Sequence, residues 1–198
     1  IKGVGEGPVE AIVSARGGEP FKDLFDFCAR MDLKRVNKRT LDALVRSGAL
    51  DRMGPYFSEQ VDEYLAGIDR NRAGVLSALE EAIKTADQAA RNRASGHMYL
   101  LGDVFSDTEV DVYEKYHNAR ELTLKERLKG EKDTLGLYLT GHPIDEYEGE
   151  VRRFARQRII DLRPSRDTQT VAGLIVALRV MRNKKGDRMG FITLDDRA

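Results

Sequence analysis

A single cysteine among 198 residues is too few for a disulfide within the chain. Cys28 lies in an apolar helical pattern, so it reads as a buried, reduced residue of a cytosolic protein. An excess of either charge is missing as well. The 33 basic and 33 acidic residues cancel, so bulk charge by itself points to no nucleic-acid partner. There is no run apolar enough for a membrane span, no signal peptide and no lipidation motif. The three histidines, His97, His117 and His142, are scattered without metal-ligand spacing, and Cys28 has no evident histidine partner. A Walker loop and a defensible catalytic carboxylate pair are also lacking. These absences argue against disulfide scaffolds, membrane proteins, metal sites and the common catalytic constellations.

The content that is present is ordinary for a soluble globular chain, with 41% hydrophobic residues, but the charge is unevenly placed. Residues 1–53 carry +2 and residues 54–98 carry −2, whereas 99–150 carry −7 and 151–198 carry +7. An acidic stretch followed by a basic end suggests modules with different partners. The chain starts without Met inside a motif and ends in "FITLDDRA", on what reads as an unfinished sheet. It is therefore expected to be a fragment of a larger cytosolic protein.

Helical signals dominate. Pro8 suits a first helical turn, and Val9, Ile12 and Val13 recur at helical spacing until Gly17-Gly18. "EPFKDLFDFCARM" repeats the pattern with Phe21, Leu24, Phe25 and Cys28 on one stripe. "NKRTLDALVRSGAL" offers Asn37 as N-cap, Leu41, Leu44 and Val45 as the apolar face, and Gly48 as the stop. Two helices are expected at about 56–68 and 72–94, the second losing its apolar stripe after Ala86. Residues 95–121 read as irregular, and helix returns at 122–139 and from Pro143 to about Arg156. From Val171 the pattern turns to strands about an Asn183–Asp187 turn. The expected fold is mainly α: a helix-hairpin-helix and a short helical bundle, followed by an incomplete β domain. The expected domains are 1–53, 54–162 and 163–198.

Three stretches suggest contacts. "IKGVGEGPVEAI" fits the Gly-hydrophobic-Gly turn of a helix-hairpin-helix. There Gly3 and Gly5 let backbone N–H groups and the positive end of the next helix face a DNA phosphate, Val4 plugs the seam behind them and Lys2 adds charge. Such contacts read backbone and not bases. The same spacing also serves a tight helix connection without a ligand. "KRVNKR" places Lys34, Arg35, Lys38 and Arg39 around a helix start, where they suit phosphate or simply water. "GHMYLLG" brackets Met98, Tyr99, Leu100 and Leu101 between glycines, as an anchor for another protein's pocket or for this protein's own helices.

"TLGLYLTGHPIDEY" at 134–147, with "IKGVGEGPVEAI", "LVRSGALDRMG" and "VAGLIVALRVMRNKKGDRMGFITLDD", closely resembles the alpha subunit of bacterial DNA polymerase III. The resemblance runs the length of the chain, in order. It implies the region after the catalytic palm and fingers: the helix-hairpin-helix within the clamp-binding domain, then the first strands of an OB fold. The family's catalytic carboxylates and PHP domain lie upstream. The chain is therefore expected to be inactive alone and to need no cofactor, the divalent metal, Mg in this family, belonging to the absent catalytic domain. The family's internal β-clamp peptide (Gln, aliphatic, Asp or Ser, Leu, Phe) falls on His97, Met98, Tyr99, Leu100 and Leu101. Three of the five positions depart, and the smaller Leu101 forfeits about 1–2 kcal/mol of burial. Arg179, Arg182, Lys184, Lys185 and Arg188 supply basic charge that a complete OB domain uses on single-stranded DNA, although "NKKG" also suits a solvated hairpin turn. The implied partners are the β clamp, duplex DNA and other holoenzyme subunits in the bacterial cytoplasm, with no membrane. A structural connector without clamp or DNA contact is the competing reading.

Overall fold

Helix α1 (Glu6–Arg16) stops at Gly17, whose φ of 52° only glycine adopts readily. Its carbonyl end is closed by Arg30, which donates to the oxygens of Ala15, Arg16 and Glu19. Helix α2 (Leu24–Arg30) starts where the Asp23 carboxylate accepts from the N–H groups of Phe25 and Asp26. Helix α3 (Lys38–Arg46) starts as its sequence predicts, with the Asn37 side chain accepting from Thr40 N–H. It ends in a Schellman turn in which Gly48 N–H donates to Val45 and Ala49 N–H to Leu44.

The computed structural model describes residues 1–95, 111–155 and 157–197. Contacts divide the chain into two units, Ile1–Leu139 and Thr140–Ala198. The sequence suggested cuts after residues 53 and 162. In the structure the residues before 54 share their core with the long helix that follows them. Leu24, Phe27, Val36, Leu41 and Val45 pack with Val75, Ala78, Leu79 and Ala82 in one cluster.

That long helix, α4 (Val61–Ala94), is one element of 34 residues where two were expected. The gap expected between about 68 and 72 is helical. Asn71 and Arg72 point inward, each at most 1% exposed. Asn71 donates to the Asp51 carbonyl and accepts from Tyr56 N–H. A side chain at Gly54 would overlap the Asn71 amide, so this turn passes against α4 only as glycine. The apolar stripe of α4 does end at Ala86. In α1 the buried face differs from the expected one. Val9 and Val13 are 47% and 53% exposed, while Ala11, Ile12 and Ala15 meet the core. In α2, Leu24 and Cys28 are buried and Phe25 packs partly buried against the core as expected, while Phe27, outside the expected stripe, is buried deeper than Phe25.

Helix α5 (Leu124–Leu135) begins with a capping box between Thr123 and Glu126. One buried ion cluster joins it to the rest of the first unit. Arg72 donates from Nε and an Nη to Asp51, at 2.9 and 2.8 Å, and from its other Nη to Glu131 at 2.9 Å. Asp51 also accepts from the Tyr64 hydroxyl, and Glu131 from Leu139 N–H. Tyr113 is a second tie: its hydroxyl accepts from Leu24 N–H and donates to the Met53 carbonyl.

In the second unit a 3-10 helix, Pro143–Tyr147, leads into α6 (Glu148–Phe154). Strands β1 (Leu174–Arg182) and β2 (Arg188–Asp195) pair antiparallel, with Leu178 opposite Ile192 and an irregularity between Ile175 and Ala177. The Asn183 side chain organises the turn by accepting from the N–H groups of Lys185 and Asp187. Most apolar side chains of the ribbon stay open, Leu178 and Val180 at 62% exposure each.

Candidate nucleic-acid interface

The N-terminal turn is held from two sides. Val4 N–H donates to Ile1, Lys2 N–H donates to the Thr134 carbonyl of α5 at 2.8 Å, and Thr40 of α3 reaches the Gly3 carbonyl. Val4 packs against the main core, in the plugging place its pattern predicted. Gly3 has φ +85°, so its backbone requires glycine. Gly5 does not require it: φ is −83°, ordinary extended backbone. A Cβ added at either glycine meets nothing within 4 Å. Gly5 is the N-cap of α1 and no side chain caps that end, which leaves the N–H groups of Glu6 and Gly7 without a side-chain partner, Pro8 having no N–H and Val9 N–H donating to the Gly5 carbonyl. The chain's own packing therefore gives no reason for Gly5.

The basic residues read from the sequence as one patch separate in space. Lys2, Gly3 and Arg39 line a cleft of about 590 Å³ between the turn, α3 and α5. Arg35 stands beside α1, its guanidinium 3.6 Å from Glu10 and close to Gly7. Lys38 points the other way and pairs with Glu80 of α4. With Lys34 it lines a different cleft, of about 500 Å³, floored by Met31, Val36, Ile83 and Ala86. Consecutive residues of a helix diverge by about 100°, and here that offset opens Lys38 and Arg39 onto different clefts. Lys184 and Lys185 lie in the β1–β2 turn and Arg188 opens β2 opposite Arg182, all exposed, in the second unit. His97, Met98, Tyr99, Leu100 and Leu101 lie outside the described residues.

Two residues of the first cleft were not legible in the sequence. Arg46 and Lys129 line it with Lys2 and Arg39. The one available signal was Gly130, an isolated glycine in a helical pattern. Its added Cβ would lie 3.3 Å from the Arg46 Cβ, so glycine lets α5 approach α3 closely. Glu126 in the same cleft is held to about 2 by its hydrogen bond to Arg120, with further help from Thr123. No nucleophile emerges from Cys28, whose thiol is pushed up to about 12, chiefly by burial. Among the described residues no group of His, Cys, Asp and Glu could hold a metal ion, and no helix is long and apolar enough to cross a membrane.

The helix-hairpin-helix motif family matches residues 1–58. Over 198 residues the chain is 74% identical to DNA polymerase III subunit alpha of Pseudomonas fluorescens. The chain matches a segment of DNA polymerase III alpha subunits. The subunit alpha of Pseudomonas aeruginosa is 69% identical over 199 residues, and that of Escherichia coli strain K12 43% identical over 202. Each alignment takes in the whole chain but only 17%, 17% and 16% of the respective alpha subunits. Helices α4 and α5 lie beyond the motif match at 1–58, yet α5 supplies one wall of the cleft beside the motif's turn.

Proposed function

We propose that the chain is a non-catalytic module of a replicative DNA polymerase, which grips duplex DNA by its backbone and docks a sliding clamp. One observation carries the DNA half. Gly5 lacks a side chain where neither its φ nor any neighbouring atom forbids one. What that glycine preserves is an approach from outside to the uncapped start of α1, and a phosphate oxygen is the group such a helix end accepts best. Lys2 and Arg39 stand at the same turn to add charge. Lys34, Arg35 and Lys38 act farther along the surface, through long-range attraction. Because these contacts reach no base edge, binding is independent of sequence. A chain that binds duplex DNA at low salt and loses it steeply as salt rises meets this reading; a chain that shows no duplex binding at low salt refutes it.

The clamp half rests on the sequence pattern at His97, Met98, Tyr99, Leu100 and Leu101. Titration against purified β sliding clamp tests it. The whole protein then carries the nucleotidyl transfer, with its divalent metal held outside this chain. This chain takes no cofactor and extends no primer by itself. It works in the bacterial cytoplasm beside other holoenzyme subunits. Lys184, Lys185 and Arg188 meet single-stranded DNA once further strands complete an OB domain. One observation favours the competing connector reading: Arg72 ties α4, α5 and the segment at Asp51 into one buried cluster. A connector binds neither clamp nor duplex, so the same two titrations separate the readings.

A further inference from the structure

Four cations from distant parts of the sequence converge beside Gly3: Lys2, Arg39, Arg46 and Lys129. The three acids of the same cleft are each engaged, Asp42 by Arg46, Asp133 by Lys129 and Glu126 by Arg120. Lys2 and Arg39 make no ion pair among the described residues, so the cleft keeps a surplus of positive charge. Its walls are built and not accidental. Gly130 admits α5 against the stem of Arg46, and the Thr134 carbonyl of the same helix holds the turn through Lys2 N–H. The geometry thus continues the path of the turn onto a helix that the motif does not include.

We propose that this cleft is a second phosphate subsite, which carries the DNA backbone from the Gly3 turn onto α5. The proposal rests on the duplex-binding reading above and adds Arg46 and Lys129 to it. The guanidinium groups of Arg39 and Arg46 present forked donors to phosphate oxygens, while Lys2 and Lys129 supply point charges. A phosphate entering the cleft exchanges places with Asp133 at Lys129, whose side chain is 74% exposed and free to turn.

Duplex DNA titrated into the 198-residue chain at several salt concentrations tests it, with Arg39→Ala and Lys129→Ala compared to the wild type. Lys129 is a surface residue, so its removal leaves the fold in place. Each phosphate contact contributes about 0.9 to the slope of log K against log salt. Lys129→Ala is expected to lower that slope by about one and to weaken all sequences alike. If Arg39→Ala lowers the slope and Lys129→Ala leaves it unchanged, the subsite is overturned and the turn reading stands. If the wild type binds no duplex at low salt, both fall. Inorganic phosphate is the second probe. A Lys129-dependent spectral shift at millimolar phosphate, without duplex binding, would assign the cleft to a small anion and overturn the DNA path.

Discussion

Replacing Arg72 by Met tests the part of the fold that the sequence hid best. Arg72 is 1% exposed and its guanidinium neutralises Asp51 and Glu131, themselves 5% and 0% exposed. Met fills much of the stem's volume but leaves both carboxylates without their cation. Asp51 keeps the Tyr64 hydroxyl, and Leu139 N–H still donates to Glu131. Breaking a buried ion pair by removing one partner costs about 3–5 kcal/mol. A domain of this size loses about 2–4 °C of Tm for each kcal/mol, so the transition should fall by on the order of 10 °C. Thermal unfolding followed by far-ultraviolet circular dichroism reads it from the helices. Adding Asp51→Asn and Glu131→Gln removes the stranded charges and should recover at least half of the loss. A Tm within about 2 °C of wild type for Arg72→Met alone would refute the reasoning. So would a triple variant no better than the single one.

Three further outcomes are expected. Changing His97→Gln, Tyr99→Asp and Leu101→Phe together should tighten clamp binding tenfold or more, about 1.4 kcal/mol, and unchanged affinity would remove the clamp assignment. Glu126, lowered from 4.5 to about 2 by Arg120, binds its proton less readily folded than unfolded. Its contribution is full above about pH 4.5 and is lost as pH falls toward 2. Arg120→Ala should therefore flatten acid unfolding across that window in a pH titration of Tm; an unchanged profile would count against the pair. Amides of Leu174 to Val180 should exchange with deuterium faster than those of Leu41 to Val45, because a two-stranded ribbon with open apolar faces is marginal by itself. Equal protection would contradict this.

Elements whose causes are local were legible in the sequence. Asn37 caps α3 and Gly48 ends it because a cap is a matter of three or four neighbouring residues. The β1–β2 turn was placed for the same reason, since Asn183 and Gly186 carry its geometry by themselves. What failed depended on partners far along the chain. The expected gap between helices at about 56–68 and 72–94 is continuous helix, where Asn71 and Arg72 find buried partners in Asp51 and Glu131 that nothing nearby in sequence announces. Val9, Ile12 and Val13 were expected inside from their helical spacing, yet the face of α1 that fits its neighbours carries Ala11, Ile12 and Ala15. The candidate site divides in the same way. The glycine turn was visible as a motif. The sorting of Arg39 into one cleft and Lys38 into another, and the arrival of Lys129 beside Lys2, are decided by how α3, α4 and α5 pack.

The claim that Gly5 keeps a path open for a phosphate is tested most directly by Gly5→Asn. Asparagine is as good an N-cap as glycine or better, and φ of −83° accepts it, so Tm should stay level or rise by the equivalent of a few tenths of a kcal/mol. Its side-chain oxygen would take the Gly7 N–H for itself, Pro8 having none to give, and its bulk would stand where the backbone of DNA must come. Duplex affinity at fixed low salt should fall at least tenfold while the thermal transition holds. A stable Gly5→Asn protein that binds duplex DNA as the wild type does would contradict the account.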